Sequence, residues 1–237
     1  YIKNTLKSVE NMIIIDDLLT KDEVAQFRQQ LASVPFNDGK STAMGMAAGV
    51  KNNGQADAQD SRVQQLANAL LSKLGNNPTV ISGALPQRIF PPCFNRYSES
   101  QTYGYHVDAA IMRIPNTPDV LRSDMSMTVF LTPKEDYEGG ELVIQTGFGE
   151  QKVKCDAGSA ILYPSSSLHK VTPVTKGERI AAITWIQSMV SDQQMRETLF
   201  QLDQSIQSLV NAGTAEREQL DGLHHVYHNL VRKFSQL

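Results

Sequence analysis

The sequence predicts a mainly β chain of the α+β class, a sandwich or barrel of short strands with helices before and after it. Three observations carry this. From about residue 80 to 187, short apolar runs alternate with turn clusters at roughly ten-residue spacing. Two amphipathic helical stripes precede that region. A second helical texture follows Ser191.

The elements follow in order. Residues 12–16 read as a short strand. Thr20 and Glu23 have capping-box spacing and open a helix whose apolar positions are Val24, Phe27 and Leu31, ending before Pro35. Residues 37–58 are rich in Gly, Ala, Asn and Ser and lack periodicity, which predicts a long loop. Val63, Leu66, Leu70 and Leu74 form a second stripe, stopped by Gly75 and Pro78. Strands are expected at 87–97, 101–108, 125–131, 141–146, 151–155, 159–163, 169–174 and 179–187. In 125–131 the side chains alternate, with Met125, Met127, Val129 and Leu131 on one face and Ser126, Thr128 and Phe130 on the other. Leu199, Leu202, Ile206 and Leu209, then Leu220, Leu223, Tyr227, Leu230 and Phe234, keep helical spacing around a break at 211–214. They predict a helical hairpin that must bury its apolar face on the β body, within itself or on another subunit.

Composition narrows the function classes. The 237 residues carry a net charge of −3, with 41% hydrophobic and 20% charged residues. That excludes wholesale disorder and leaves no electrostatic footprint for nucleic acid. No apolar run approaches the length of a membrane span. Cys93 and Cys155 are too few for a disulfide framework, which points to a reducing, cytoplasmic setting. The sequence starts at Tyr1, and Met12 is a candidate natural start, with residues 1–11 an added or truncated leader.

The chemistry concentrates around His106-Val107-Asp108. In a strand, positions i and i+2 share a face, so an imidazole and a carboxylate would project together. A solvated polar strand explains the pair equally well. His169, 61 residues beyond Asp108, supplies a third ligand. Two His and one carboxylate form a facial triad suited to Fe(II), with positions left open. Arg179 opens an apolar run, where a buried guanidinium needs a partner; a dicarboxylate would serve, and so would Glu178 at a turn edge. His224, His225 and His228 read as a solvated helix face. Ser165, Ser166 and Ser167 lack a nucleophile elbow, and Gly45 and Gly49 lack the context of a phosphate loop.

Together these residues resemble a known family. The order Tyr97, Tyr103, His106-x-Asp108, His169, Arg179 is similar to the Fe(II)- and 2-oxoglutarate-dependent dioxygenases of the prolyl/lysyl hydroxylase type. Two longer stretches resemble the bacterial PKHD-type hydroxylases. One runs from Phe94-Asn95-Arg96-Tyr97 to Tyr103-Gly104-Tyr105-His106-Val107-Asp108. The other runs from Gly158-Ser159-Ala160-Ile161-Leu162-Tyr163-Pro164-Ser165-Ser166-Ser167-Leu168-His169 to Gly177-Glu178-Arg179. Glu138-Gly139-Gly140-Glu141-Leu142 between them also fits.

The resemblance implies a double-stranded β-helix, a cupin-like jelly roll over 12–190 with N-terminal helices, followed by a C-terminal helical hairpin over 191–237. It implies that His106, Asp108 and His169 bind Fe(II), that Arg179 holds the far carboxylate of 2-oxoglutarate, and that Tyr97 hydrogen-bonds this cosubstrate. Tyr103 would line the same pocket. L-ascorbate is implied as a reductant. The expected reaction is hydroxylation of a small-molecule or peptidyl substrate by O2, releasing succinate and CO2, with no nucleic acid or membrane involved. A homodimer through the hairpin is one expectation; packing on the barrel is the other. A non-enzymatic iron or 2-oxoglutarate sensor and a metal-binding cupin are the alternatives.

Loops 37–58 and 109–124 are the expected walls of the substrate entrance. Arg113 and Arg122 in the second would suit an anionic substrate group or be ordinary surface arginines. Met44 and Met46 would cover a pocket or ride on a mobile loop.

Overall fold

The computed structural model describes residues 8–9, 12–43 and 45–236. The expected leader falls almost wholly outside them, as does Met44. Two antiparallel sheets face each other. Among the described residues the larger has nine strands, in the order Ser8–Val9, Met12–Ile15, Ala160–Pro164, Met125–Phe130, Arg179–Ser188, Cys93–Tyr97, Gly54–Ala56, Phe36–Asp38, with Pro86–Ile89 paired to the far end of Arg179–Ser188. The smaller has five, in the order Gly149–Val153, Leu142–Thr146, His169–Val171, Thr102–His106, Lys51–Asn52. From Cys93–Tyr97 on, the strands of the two sheets alternate along the chain except at the hairpin of Leu142–Thr146 and Gly149–Val153, which is how a jelly roll closes.

Two apolar layers hold this together. Tyr97, Phe130, Ile161 and Tyr163 of the larger sheet pack between the sheets against Leu142, Ile144 and Val171 of the smaller. On the larger sheet's other face, Met127, Val129, Leu162 and Ala182 pack on helices Lys21–Leu31, Ser61–Asn76 and Pro78–Ala84 through Phe27, Leu70, Leu74 and Val80. Met125–Phe130 is therefore buried at every position. The expected alternation holds, but both faces are covered, as in the centre of a layered fold. Leu70 and Leu74 are fully enclosed, so truncating either to Ala costs about 2–5 kcal/mol.

Local signals behaved as their chemistry dictates. Glu23 N donates to Thr20 Oγ1 at 3.2 Å and Thr20 N to Glu23 Oε2 at 2.9 Å, completing the capping box. Proline divides two expected strands: 87–97 breaks at Phe90-Pro91-Pro92 into Pro86–Ile89 and Cys93–Tyr97, and 169–174 breaks at Pro173 into His169–Val171 and Val174–Gly177. Each Pro removes a ladder donor. Pro78 does not end the helical region. It is the first residue of a further helix, Pro78–Ala84, which Asn77 caps.

The loop at 37–58 is a misreading. It contains strands Lys51–Asn52 and Gly54–Ala56, the end of Phe36–Asp38, a 3₁₀ turn Gly39–Thr42 and a helical turn Met46–Gly49. Residues 109–124 likewise hold a small hairpin, Ile111–Arg113 with Val120–Arg122. The C-terminal helices are Gln193–Ala212 and Arg217–Phe234, divided at Gly213, which adopts φ +62. Tyr227, Leu230, Val231 and Phe234 pack with Leu199 on Leu85 and Val190.

Candidate metal centre

His106 ends the strand Thr102–His106, His169 opens His169–Val171, and the two are register partners. Their ring centroids lie 4.3 Å apart. The register then slips: Val171 faces Tyr103, so a bulge places one extra residue on the His106 strand. In a regular strand Tyr103 and His106, three apart, would point to opposite faces. With the bulge they share one, and Tyr103 stacks on His106 at 3.6 Å and 13°. Tyr105 instead joins Glu150 and lies under Lys170.

Asp108 lies beyond the end of this strand, so the expected strand 101–108 stops two residues short. Its carboxylate is placed by a contact rather than by alternation. Ser126 Oγ donates to Asp108 Oδ2 at 2.5 Å, and Ser126 shares a hydrogen bond with Ser165 at 2.7 Å. Asp108 Oδ1 is then 3.9 Å from His106 Nε2, and Oδ2 is 3.8 Å from His169 Nε2. These are too long for hydrogen bonds.

The three groups offer ligand atoms within 4.8 Å of one another, the one such group of three among the described residues. The outer nitrogens orient the rings. His106 Nδ1 donates to Gly104 O at 2.8 Å and His169 Nδ1 to Ser167 O at 2.9 Å, which turns both Nε2 lone pairs towards Asp108. Burial, with His169 alongside, pushes the His106 pKa down to about 4. The imidazole is therefore neutral at pH 7, the form that ligates a metal. Two imidazole nitrogens and one carboxylate fit Fe(II) and leave coordination positions unfilled.

Arg179 is 1% exposed and is the register partner of Tyr97. Its guanidinium lies 5.2 Å from the Tyr97 ring and 5.4 Å from Phe130, inside the layer between the sheets. Glu178 does not neutralise it, because Glu178 pairs with Arg96 at 3.6 Å. Arg179 Nε and Nη1 and the buried hydroxyls of Tyr97 and Tyr137 reach no partner within ordinary hydrogen-bond limits among the described residues, although the Tyr137 hydroxyl lies beside the guanidinium and that of Tyr97 beside the Asn53 amide. Buried donors without acceptors are costly. Here they line the polar patch of an otherwise apolar layer and suit an anionic ligand.

Sequence reasoning missed Ser126, Tyr137 and Lys51. Ser126 falls on the inward face of a strand whose alternation was legible, but its contact with Asp108 is long-range. Tyr137 stands just before the Glu138-Gly139-Gly140 motif. Lys51 was hidden in the supposed loop. Among the alternatives, His224 and His228 sit 6.2 Å apart and His225 pairs with Asn229, on the helix Arg217–Phe234. Arg122 is held by Asp124 at 2.7 Å.

Comparisons with known proteins give the family and the fold. The model of the 2OG-Fe(II) oxygenase superfamily matches residues 92–187, and that of the PKHD-type hydroxylase C-terminal domain matches 192–236. A PKHD-type hydroxylase of Alteromonas mediterranea is 99% identical over 226 residues, 95% of this chain and 100% of that protein. One from Shewanella frigidimarina is 64% identical with the same coverage. A prolyl hydroxylase from Trichoplax adhaerens, solved with a hypoxia inducible factor peptide fragment, superposes at a TM-score of 0.53. It is 17% identical, covering 76% of this chain and 84% of its own. A Pseudomonas putida prolyl-4-hydroxylase superposes at 0.51 with 19% identity, covering 76% of this chain and 94% of its own. These likenesses show the jelly-roll fold. Among the described residues no helix is long and apolar enough to cross a membrane. The chain belongs to the PKHD-type hydroxylases, within the Fe(II)- and 2-oxoglutarate-dependent oxygenases.

Proposed function

We propose that this chain is a dioxygenase that uses Fe(II), 2-oxoglutarate and O2 to hydroxylate a small-molecule or peptidyl substrate. The observation that carries it is Arg179. A buried, unneutralised guanidinium lies between the same two sheets that hold the His106–Asp108–His169 donor set. A metal-binding cupin needs no such cation.

His106, Asp108 and His169 would hold the iron. Arg179 would take the far carboxylate of 2-oxoglutarate, with the Tyr97 hydroxyl as a further donor. When bound, iron and cosubstrate would supply the oxidation: one oxygen atom of O2 would go to 2-oxoglutarate, which loses CO2 and becomes succinate, and the other into a substrate C–H, which becomes C–OH. The protein positions and screens. The carbonyls of Gly104 and Ser167 keep each imidazole in one tautomer, Ser126 aims the carboxylate, and Tyr103 and Tyr163 cover the rings of His106 and His169. The division into a catalytic jelly roll over 12–190 and a hairpin over 191–237 is part of this reading. So are ascorbate as reductant, a cytoplasmic setting and a homodimer through the hairpin.

Succinate formation separates enzyme from sensor. The Fe(II)-loaded protein should convert 2-oxoglutarate to succinate only with O2, and faster with an extract of small molecules and peptides. A protein that binds both ligands and leaves 2-oxoglutarate intact under all these conditions is a sensor.

A further inference from the structure

Lys51 is a second buried cation beside the candidate metal centre, and among the described residues no carboxylate pairs with it. It is 6% exposed. Its strand, Lys51–Asn52, closes the edge of the smaller sheet, and its register partner is Tyr103. The ammonium lies 5.3 Å from the centroid of the Tyr103 ring, the ring that stacks on His106. Lys51 Nζ donates to Thr42 Oγ1 at 2.9 Å and to Gln55 Oε1 at 3.2 Å. Both acceptors are neutral. The third N–H has no acceptor, and no carboxylate lies within 4.0 Å, among the described residues. Burial holds its pKa down, and the group feels the fields of Cys93, Asp108 and Asp38 without pairing with any of them; the Asp38 carboxylate accepts from Lys40 N instead.

The charges leave Lys51 over. A dication, Asp108, the two carboxylates of the cosubstrate and Arg179 balance one another. Lys51 then remains as an enclosed positive charge with a free donor, an arrangement that is costly until an anion arrives. One unmatched charge calls for a monoanion.

On the oxygenase reading, we propose that Lys51 binds a carboxylate of the primary substrate, so that the substrate is a carboxylate-bearing molecule held beside His106. This makes Lys51 a specificity-determining residue. It also moves the cation for an anionic substrate from Arg122, which Asp124 occupies, to the strand next to the metal ligands.

The test uses the full chain loaded with Zn(II) and N-oxalylglycine, a non-reacting analogue that fills the Arg179 position. Trifluoroacetate is titrated and followed by fluorine NMR, with neutral trifluoroacetamide as control. We expect saturable one-site binding of trifluoroacetate at about millimolar concentration, and none of the amide. Lys51→Met should weaken it about tenfold or more, the value of a charge-assisted hydrogen bond, and Lys51→Arg should restore it. Lys51→Met must still bind N-oxalylglycine, which shows that it is folded. Displacement by N-acetylglycine against the α-methylamide of N-acetylaspartate then tells a main-chain from a side-chain carboxylate. No saturable trifluoroacetate binding, or equal binding by Lys51→Met, overturns the proposal. If the wild type fails to bind N-oxalylglycine, the oxygenase reading itself falls. If that binds and trifluoroacetate does not, the role of Lys51 alone is refuted.

Discussion

Ser126 and Asp108 tie the two sheets together at the candidate metal centre. Ser126 lies within Met125–Phe130 of the larger sheet, and its hydroxyl donates at 2.5 Å to a carboxylate that follows Thr102–His106 of the smaller. The carboxylate that strand geometry leaves loose is fixed from across the barrel.

Ser126→Ala should therefore loosen the metal without unfolding the protein. The expected loss in metal affinity is about tenfold, the lower end for a group that orients a ligand. Competition of the apoprotein with a chromophoric chelator for Zn(II) measures it. Unchanged affinity would mean that Asp108 is held by its own loop.

Arg179→Met should split stability from binding. Replacing a buried, unneutralised charge by an apolar side chain should raise the stability of the ligand-free protein by about 1–3 kcal/mol. The same change should weaken 2-oxoglutarate by about a hundredfold, since a charged partner is lost. Urea unfolding and a binding titration check the two halves, and a destabilised variant would show that Arg179 is a structural residue.

Gly140→Ala tests the wall behind Arg179. Gly140 sits at φ +64, and an added Cβ would come within 3.0 Å of Val174 Cγ2, 3.1 Å of Arg179 Cδ and 3.1 Å of Tyr137 Cε2. Backbone strain alone costs about 1–3 kcal/mol. The variant should melt lower and show a higher KM for 2-oxoglutarate, because the clash displaces the guanidinium. A lower Tm with an unchanged KM would put the relaxation elsewhere.

The metal-free protein should lose stability as pH falls from about 6.5 towards 4. His106 is held near 4 in the fold, below its ordinary value of about 6.5. In that window the unfolded chain takes up a proton that the folded chain refuses, so unfolding is favoured. Above it the cost vanishes, and below it the cost is constant. Thermal melts against pH for wild type and His106→Gln measure the difference; identical profiles would assign the dependence to other groups.

His106 and Asp108 alone were weak signals and Arg179 alone read as a turn-edge residue; it was their order along the chain, with His169 and the flanking motifs, that marked them as one site, and the structure brings the first three together and buries Arg179. Helix starts were legible from local hydrogen-bonding rules; the strand breaks at Pro91-Pro92 and Pro173 were read through as continuous strands, and Pro78 showed that the same residue both ends and begins helices. The clasp at 51–56 was not legible. Lys51–Asn52 and Gly54–Ala56 take their order from strands already formed by other parts of the chain, and edge pairing leaves little side-chain periodicity. The bulge that turns Tyr103 onto His106 was hidden for the same reason: register is a property of two strands, and a sequence shows one at a time.

The most direct measurement is an anaerobic titration of the apoprotein with Fe(II) and then 2-oxoglutarate, monitored for the visible metal-to-ligand charge-transfer band. The account predicts a band that requires both ligands, weakens in Arg179→Met and is absent in His169→Ala. A folded wild-type protein that binds Fe(II) and develops no band with 2-oxoglutarate would contradict it.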